Sequence, residues 1–113
     1  MNNFHLVIQP IIDMNTNEII GGETLLRWKY KGQNVPPQRF IPLLEKSKQI
    51  VKAGKWILDQ ALKNVNRIRC YYSDFNISVN VSYVQICEED LFSYIHDTLK
   101  KYDLPGSVLT IEL

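Results

Sequence analysis

Alternation of apolar and polar positions marks four stretches of this chain as strands. Phe4 to Pro10 alternates and closes on a proline; Ile19 to Trp28, Asn76 to Ser82 and Val108 to Leu113 follow the same period of two. A helical period runs through Val51 to Arg69, where Ile57, Leu58, Ala61, Leu62, Val65 and Ile68 share one face. Glu88 to Tyr102 reads as another helix, with Leu91, Phe92, Ile95 and Leu99 as its apolar stripe. Glu88, Glu89 and Asp90 fall in its first turn and Lys100 and Lys101 in its last, which suits the helix dipole at both ends. A short helix is expected through Phe40 to Glu45, with Pro42 either in its first turn or kinking it. Asp13 to Asn17 is rich in turn formers, Lys29 to Pro37 reads as a polar loop, and Pro105-Gly106 stops the last helix.

Strands separated by helical stretches point to parallel pairing through crossover connections. The first two strands are joined by a turn short enough for an antiparallel pair. The expected fold class is therefore α/β: a mostly parallel sheet, an antiparallel first strand, and helices on the outer face.

Each strand divides into two faces. Phe4, Leu6 and Ile8 oppose His5, Val7 and Gln9. Ile20, Gly22, Thr24, Leu26 and Trp28 oppose Gly21, Glu23, Leu25 and Arg27. Ile77, Val79 and Val81 oppose Asn76, Ser78, Asn80 and Ser82, and Leu109, Ile111 and Leu113 oppose Val108, Thr110 and Glu112. One face is apolar throughout. The other carries carboxylate, amide, hydroxyl and guanidinium groups, whereas parallel sheets are usually apolar on both sides. Glu23, Asn80 and Glu112 left dry and unpaired would each cost several kcal/mol, of order 2–7 even for a neutral polar group. They must meet water, a cation or hydrogen-bond partners. Oxygen ligands without clustered Cys or His suit Mg²⁺, Mn²⁺ or Ca²⁺; Asn80 and Glu112 lie in the second half of their strands, where barrel enzymes keep their working groups, and Glu23 lies near the middle of its own. The plainer alternative is an open sheet with one solvated face, on which Gln9 is a surface amide and Arg27 partners a neighbouring carboxylate. His5 and His96 read as ordinary surface residues, and Trp28 and Trp56 as packing residues.

Composition narrows the class. The chain has 113 residues, 45% hydrophobic and 22% charged, with a formal net charge of +1. That is one ordinary globular domain, without the basic field that draws in nucleic-acid polymers or anionic membranes. No apolar run spans a bilayer and no signal peptide is visible, so no membrane contact is expected from this segment. Cys70 and Cys87 lack metal-ligand spacing and fit free thiols in a reducing cytoplasm.

Several motifs resemble one bacterial family. Gln9-Pro10-Ile11, then Gly21-Gly22-Glu23-Thr24-Leu25-Leu26-Arg27-Trp28, resembles the opening of EAL domains. Pro37-Gln38-Arg39-Phe40-Ile41-Pro42-Leu43, Gly54-Lys55-Trp56-Ile57-Leu58, Val79-Asn80-Val81-Ser82 and Leu109-Thr110-Ile111-Glu112-Leu113 resemble later motifs of that family, in its order. The resemblance implies a TIM-type β/α barrel, of which residues 1–113 would be the N-terminal half, ending before the family's Asp-Asp-Phe-Gly strand. It implies hydrolysis of cyclic di-GMP to the linear dinucleotide with Mg²⁺ or Mn²⁺. By position, Glu23, Asn80 and Glu112 resemble metal ligands, and Gln9, Leu26 and Arg27 resemble residues that hold the nucleotide. Thr24 replaces an alanine, and Val84 stands where the family often has arginine. The family's later carboxylates and its catalytic lysine have no counterpart, so the metal site is expected to be incomplete and this segment alone inactive. Half a barrel would also leave sheet edges open to self-association. Three readings stay open for the parent domain: a phosphodiesterase, a cyclic di-GMP sensor that does not cleave, or a degenerate interaction domain.

Overall fold

A computed structural model describes residues 3–113. The chain runs β1 (Phe4–Ile12), β2 (Ile19–Tyr30), β3 (Gln33–Val35), α1 (Pro37–Lys46), α2 (Gln49–Ile68), β4 (Asn76–Asn80), α3 (Tyr83–Ile86), α4 (Leu91–Lys101), a 3₁₀ turn (Gly106–Val108) and β5 (Leu109–Glu112). The sheet order is β1-β2-β4-β5, with β3 also paired to β2. β1 and β3 run antiparallel to β2, while β2, β4 and β5 are mutually parallel. The expected antiparallel opening and parallel continuation are both present.

Helices cover one face only. Ile57, Leu58, Ala61, Leu62 and Val65 of α2 and Leu91 and Ile95 of α4 form one apolar cluster with Ile77 and Val79 of β4. Leu6, Ile8, Leu26, Leu109 and Ile111 pack against it from the other strands. These are the apolar-face positions that the alternation picks out. A second cluster joins Phe40 and Leu44 of α1 to Ile50. Phe4 stacks on Trp28 with ring centroids 5.6 Å apart, and Phe40 meets both edge-on, so Trp28 is a packing residue. Trp56 likewise packs against the main cluster.

Several local expectations are corrected. The polar loop after β2 is a tight hairpin: Lys31 and Gly32 both have positive φ (51° and 78°), and Tyr30 pairs with Gln33. Two central residues of that kind match the twist of flanking strands. Pro42 lies in the interior of α1, which begins at Pro37. The pairing of β1 with β2 passes over Ile20, between Ile11↔Gly21 and Ile12↔Ile19. That irregularity turns Ile20 outward and lets Ile19 pack on the core. α4 starts at Leu91, so the acidic run precedes it, and Phe92 is 62% exposed rather than part of its stripe. Val108, assigned to the polar face, is fully buried because it belongs to the 3₁₀ turn, and Leu113, assigned to the apolar face, is exposed beyond the end of β5.

Two polar links tie α2 to the region of α4. Lys55 Nζ lies 2.6 Å from Asp90 Oδ2, just before α4. This bond holds the Asp90 carboxyl below its usual range and Lys55 above its own. Asp59 Oδ1 accepts from both Lys101 Nζ and Tyr102 Oη at 3.0 Å. Burial, then the Asp59 charge, raises the Tyr94 phenol; its hydroxyl donates to the Lys55 carbonyl at 2.9 Å.

Candidate functional site

The face without helices carries the polar ladder. Gln9 of β1 stands opposite Glu23 of β2 in the antiparallel register. Glu23 pairs in register with Ser78 of β4, and two residues on, Asn80 pairs with Glu112 of β5. Asn80 Nδ2 donates to Glu23 Oε2 at 3.0 Å. The bond uses one amide hydrogen and leaves Asn80 Oδ1 without a partner among the described residues. Four adjacent strands thus bring Gln9, Glu23, Asn80 and Glu112 to one region, at the C-terminal ends of β4 and β5.

Glu23, Asn80 and Glu112 are hard oxygen donors of the kind Mg²⁺ or Mn²⁺ accepts. Two carboxylates and one amide supply part of an octahedral shell and no more. Among the described residues no group of three or more His, Cys, Asp or Glu side chains could hold a metal ion. The donor set fits a divalent ion in type and falls short of it in number.

Arg27 belongs to a different part of the same face. It lies four residues beyond Glu23, about 13 Å along the strand at ~3.3 Å per residue. It is half-buried, its Nη1 donates to the Leu26 carbonyl at 3.2 Å, and no ion pair is formed with it among the described residues. Beside it, a groove of about 430 Å³ is lined by His5, Val7, Asn34, Val35, Pro36 and Pro37. His5 is the residue opposite Arg27 in the β1–β2 register. The arrangement offers oxygen donors at one end and an unpaired guanidinium at the other.

Leu26 lines a cavity of about 270 Å³ together with Leu25, Arg27 and Asn80. It packs into both apolar clusters on the helix side, because strand side chains alternate. Its neighbour Leu25 shares the side of Glu23 and Arg27. The residue that motif reading missed is Gln85, which is buried with its Oε1 accepting from the Ser82 backbone N–H at 2.9 Å. Its signal was present as Ser82-Tyr83-Val84-Gln85, the capping-box spacing that opens a helix; that helix is α3.

Comparison with known proteins bears on the family and the fold. The chain is 34% identical over 113 residues to the signaling protein YkoW of Bacillus subtilis, covering 99% of this chain and 14% of that protein. It is 33% identical over 107 residues to MucR of Pseudomonas aeruginosa, a bifunctional diguanylate cyclase/cyclic di-GMP phosphodiesterase, covering 93% of this chain and 16% of that one. A solved structure, the PaMucR phosphodiesterase in complex with c-di-GMP, superposes with a TM-score of 0.91 at 32% identity, over 98% of this chain and 46% of that chain. The chain therefore spans less than half the length of each of these relatives, and its fold is part of a TIM-type barrel. The sequence model of the EAL domain matches residues 1–113, the whole chain, and the chain belongs to the EAL domain family.

Proposed function

We propose that this chain supplies the nucleotide- and metal-holding part of a cyclic di-GMP phosphodiesterase domain. The observation that carries the reading is the ladder Gln9–Glu23–Asn80–Glu112, drawn from four adjacent strands and closed by the 3.0 Å bond from Asn80 to Glu23. Glu23, Asn80 and Glu112 hold Mg²⁺ or Mn²⁺. When bound, such an ion acidifies a water and offsets phosphate charge. Arg27 receives a phosphate oxygen through its planar donor fork, and Gln9 offers an amide to the nucleotide beside Glu23. Leu26 of β2, which lines one cavity with Arg27 and Asn80, supplies the apolar contact, with Leu25 beside it. Leu26 anchors that strand to the helices. MucR, named as a cyclic di-GMP phosphodiesterase and solved in complex with c-di-GMP, supports the substrate class.

The three donors hold an ion loosely by themselves, so binding without turnover is the expected behaviour of these residues alone. β1 and β5 are the outer strands of the sheet, and self-association through them is part of the same reading; a monomeric mass in sedimentation at high concentration would remove it. Cys70 and Cys87 stand exposed as free thiols, in keeping with a reducing cytoplasm. Among the described residues no helix is long and apolar enough to cross a membrane.

The test is calorimetric titration with cyclic di-GMP in Mg²⁺ or Mn²⁺. Binding is expected to vanish with chelator and to weaken at least about tenfold in Arg27→Ala, since a hydrogen bond to a charged group contributes ~1.5–3 kcal/mol. Glu23→Gln is expected to abolish the metal dependence. No binding by the unaltered chain at millimolar nucleotide would overturn the reading.

A further inference from the structure

We infer that Glu45, Gly54 and Gln85 are positioning residues: together they lock the chain just after Asn80 and so aim Asn80 at Glu23. The inference rests on the reading of Asn80 as a metal ligand. None of the three lies on the polar ladder of the sheet, and each comes from a different helix.

β4 ends at Asn80 and the chain turns into α3 at Ser82. Val81 between them is buried, and its N–H donates to the Glu112 carbonyl at 2.7 Å. Ser82 is then held in three ways. Its Oγ donates to Glu45 Oε2 of α1 at 2.5 Å, within the range of a hydroxyl bonded to a carboxylate. The same Oγ accepts from the Val84 N–H at 3.2 Å. Its backbone N–H donates to Gln85 Oε1. Gln85 is only 3% exposed, and it lies against α2 at Gly54. A Cβ built on Gly54 would sit 1.7 Å from Gln85 Nε2 and 2.6 Å from its Cδ. Any side chain at position 54 expels the glutamine.

α3 has four residues, too few to stand alone given the cost of helix nucleation. Its place therefore comes from α1 through Glu45 and from α2 through the gap at Gly54. The direction in which β4 ends is inherited from that place. Asn80 is two residues upstream of Ser82, and a ligand must be held to within about 0.5 Å to act. A shift at Ser82 reaches Asn80 before anything else on the ladder.

The experiment follows the Asn80 side-chain amide by NMR in the 113-residue chain and titrates the same samples with Mn²⁺, reading paramagnetic broadening. In the unaltered protein the two Asn80 amide protons are expected to be resolved and slow to exchange. In Gln85→Ala and Gly54→Ala the Asn80 proton bonded to Glu23 moves to the shift of a free amide and exchanges faster, and the Mn²⁺ concentration for half-broadening rises about tenfold. The double variant separates position from stability. Removing Gln85 makes room for the methyl group that Gly54→Ala introduces, so the melting temperature recovers relative to Gly54→Ala alone, while the Asn80 amide stays at its free shift. Ile95→Val, in the core on α4, is expected to lower the melting temperature and leave the Asn80 signals unchanged. Should Gly54→Ala fail to fold, Glu45→Ala removes the α1 end of the same chain of bonds, and Glu45→Gln, which keeps an acceptor, should restore the Asn80 signals. Unchanged Asn80 signals in Gln85→Ala and Glu45→Ala would overturn the inference. If the unaltered chain binds no Mn²⁺, the metal reading of Glu23, Asn80 and Glu112 fails, and the Asn80 amide signals still decide the positioning claim.

Discussion

Thr24 offers a sharp measurement of what a single buried hydroxyl costs this domain. It is 3% exposed, and its Oγ1 is buried with no hydrogen-bond partner among the described residues. It sits on the helix side of β2, opposite Ile8 of β1 and Val79 of β4 in the two registers. Valine has the same branched shape and suits a strand equally well, so Thr24→Val changes the chemistry without changing the packing. Removing a buried unsatisfied group recovers about 1–3 kcal/mol. For a domain of this size each kcal/mol moves the melting temperature by ~4–8 °C. Thr24→Val is therefore expected to melt at least about 4 °C higher, with a higher urea midpoint and an unchanged slope. Thr24→Ala also removes the hydroxyl, but it leaves a methyl-sized gap worth about 1 kcal/mol, and its melting temperature should fall below that of Thr24→Val. A lower melting temperature for Thr24→Val would refute the reasoning; it would mean that the hydroxyl is satisfied by water in the adjacent cavity of about 270 Å³, which Thr24 lines.

Two further predictions concern the frame. Gly32 adopts φ of 78° with open space where a Cβ would go, so Gly32→Ala carries backbone strain and no clash; a loss of about 1 kcal/mol is expected in urea unfolding, and no loss would argue against the hairpin. The Lys55–Asp90 bond depresses the Asp90 carboxyl, so its contribution is present above the ordinary carboxylate range near pH ~3.9 and fades as the pH falls through the lowered folded value. Asp90→Asn should therefore flatten the acid limb of a stability–pH curve below about pH 4 and leave the melting temperature at neutral pH slightly lower; an identical acid limb would show the bond to be idle.

Local chemistry determined a good deal of this protein. The period of two placed Gln9, Glu23, Arg27, Asn80 and Glu112 on one face and Ile77, Val79, Leu109 and Ile111 on the other, because a strand leaves a side chain no third direction. The helical period located α2 to within two residues of each end, because its stripe must meet the sheet. Where context overrides period, sequence reading slipped. Ile20 turned outward because the pairing register skips it, and Val108 went inward because a 3₁₀ turn replaces the start of a strand. Tertiary structure alone decided how Glu45, Gly54, Ser82 and Gln85, spread across three helices and a cap, close on one another behind Asn80. No periodicity encodes that meeting. It exists because a glycine on one helix leaves a gap, a glutamine from another fills it, and the strand between them has to end where both allow.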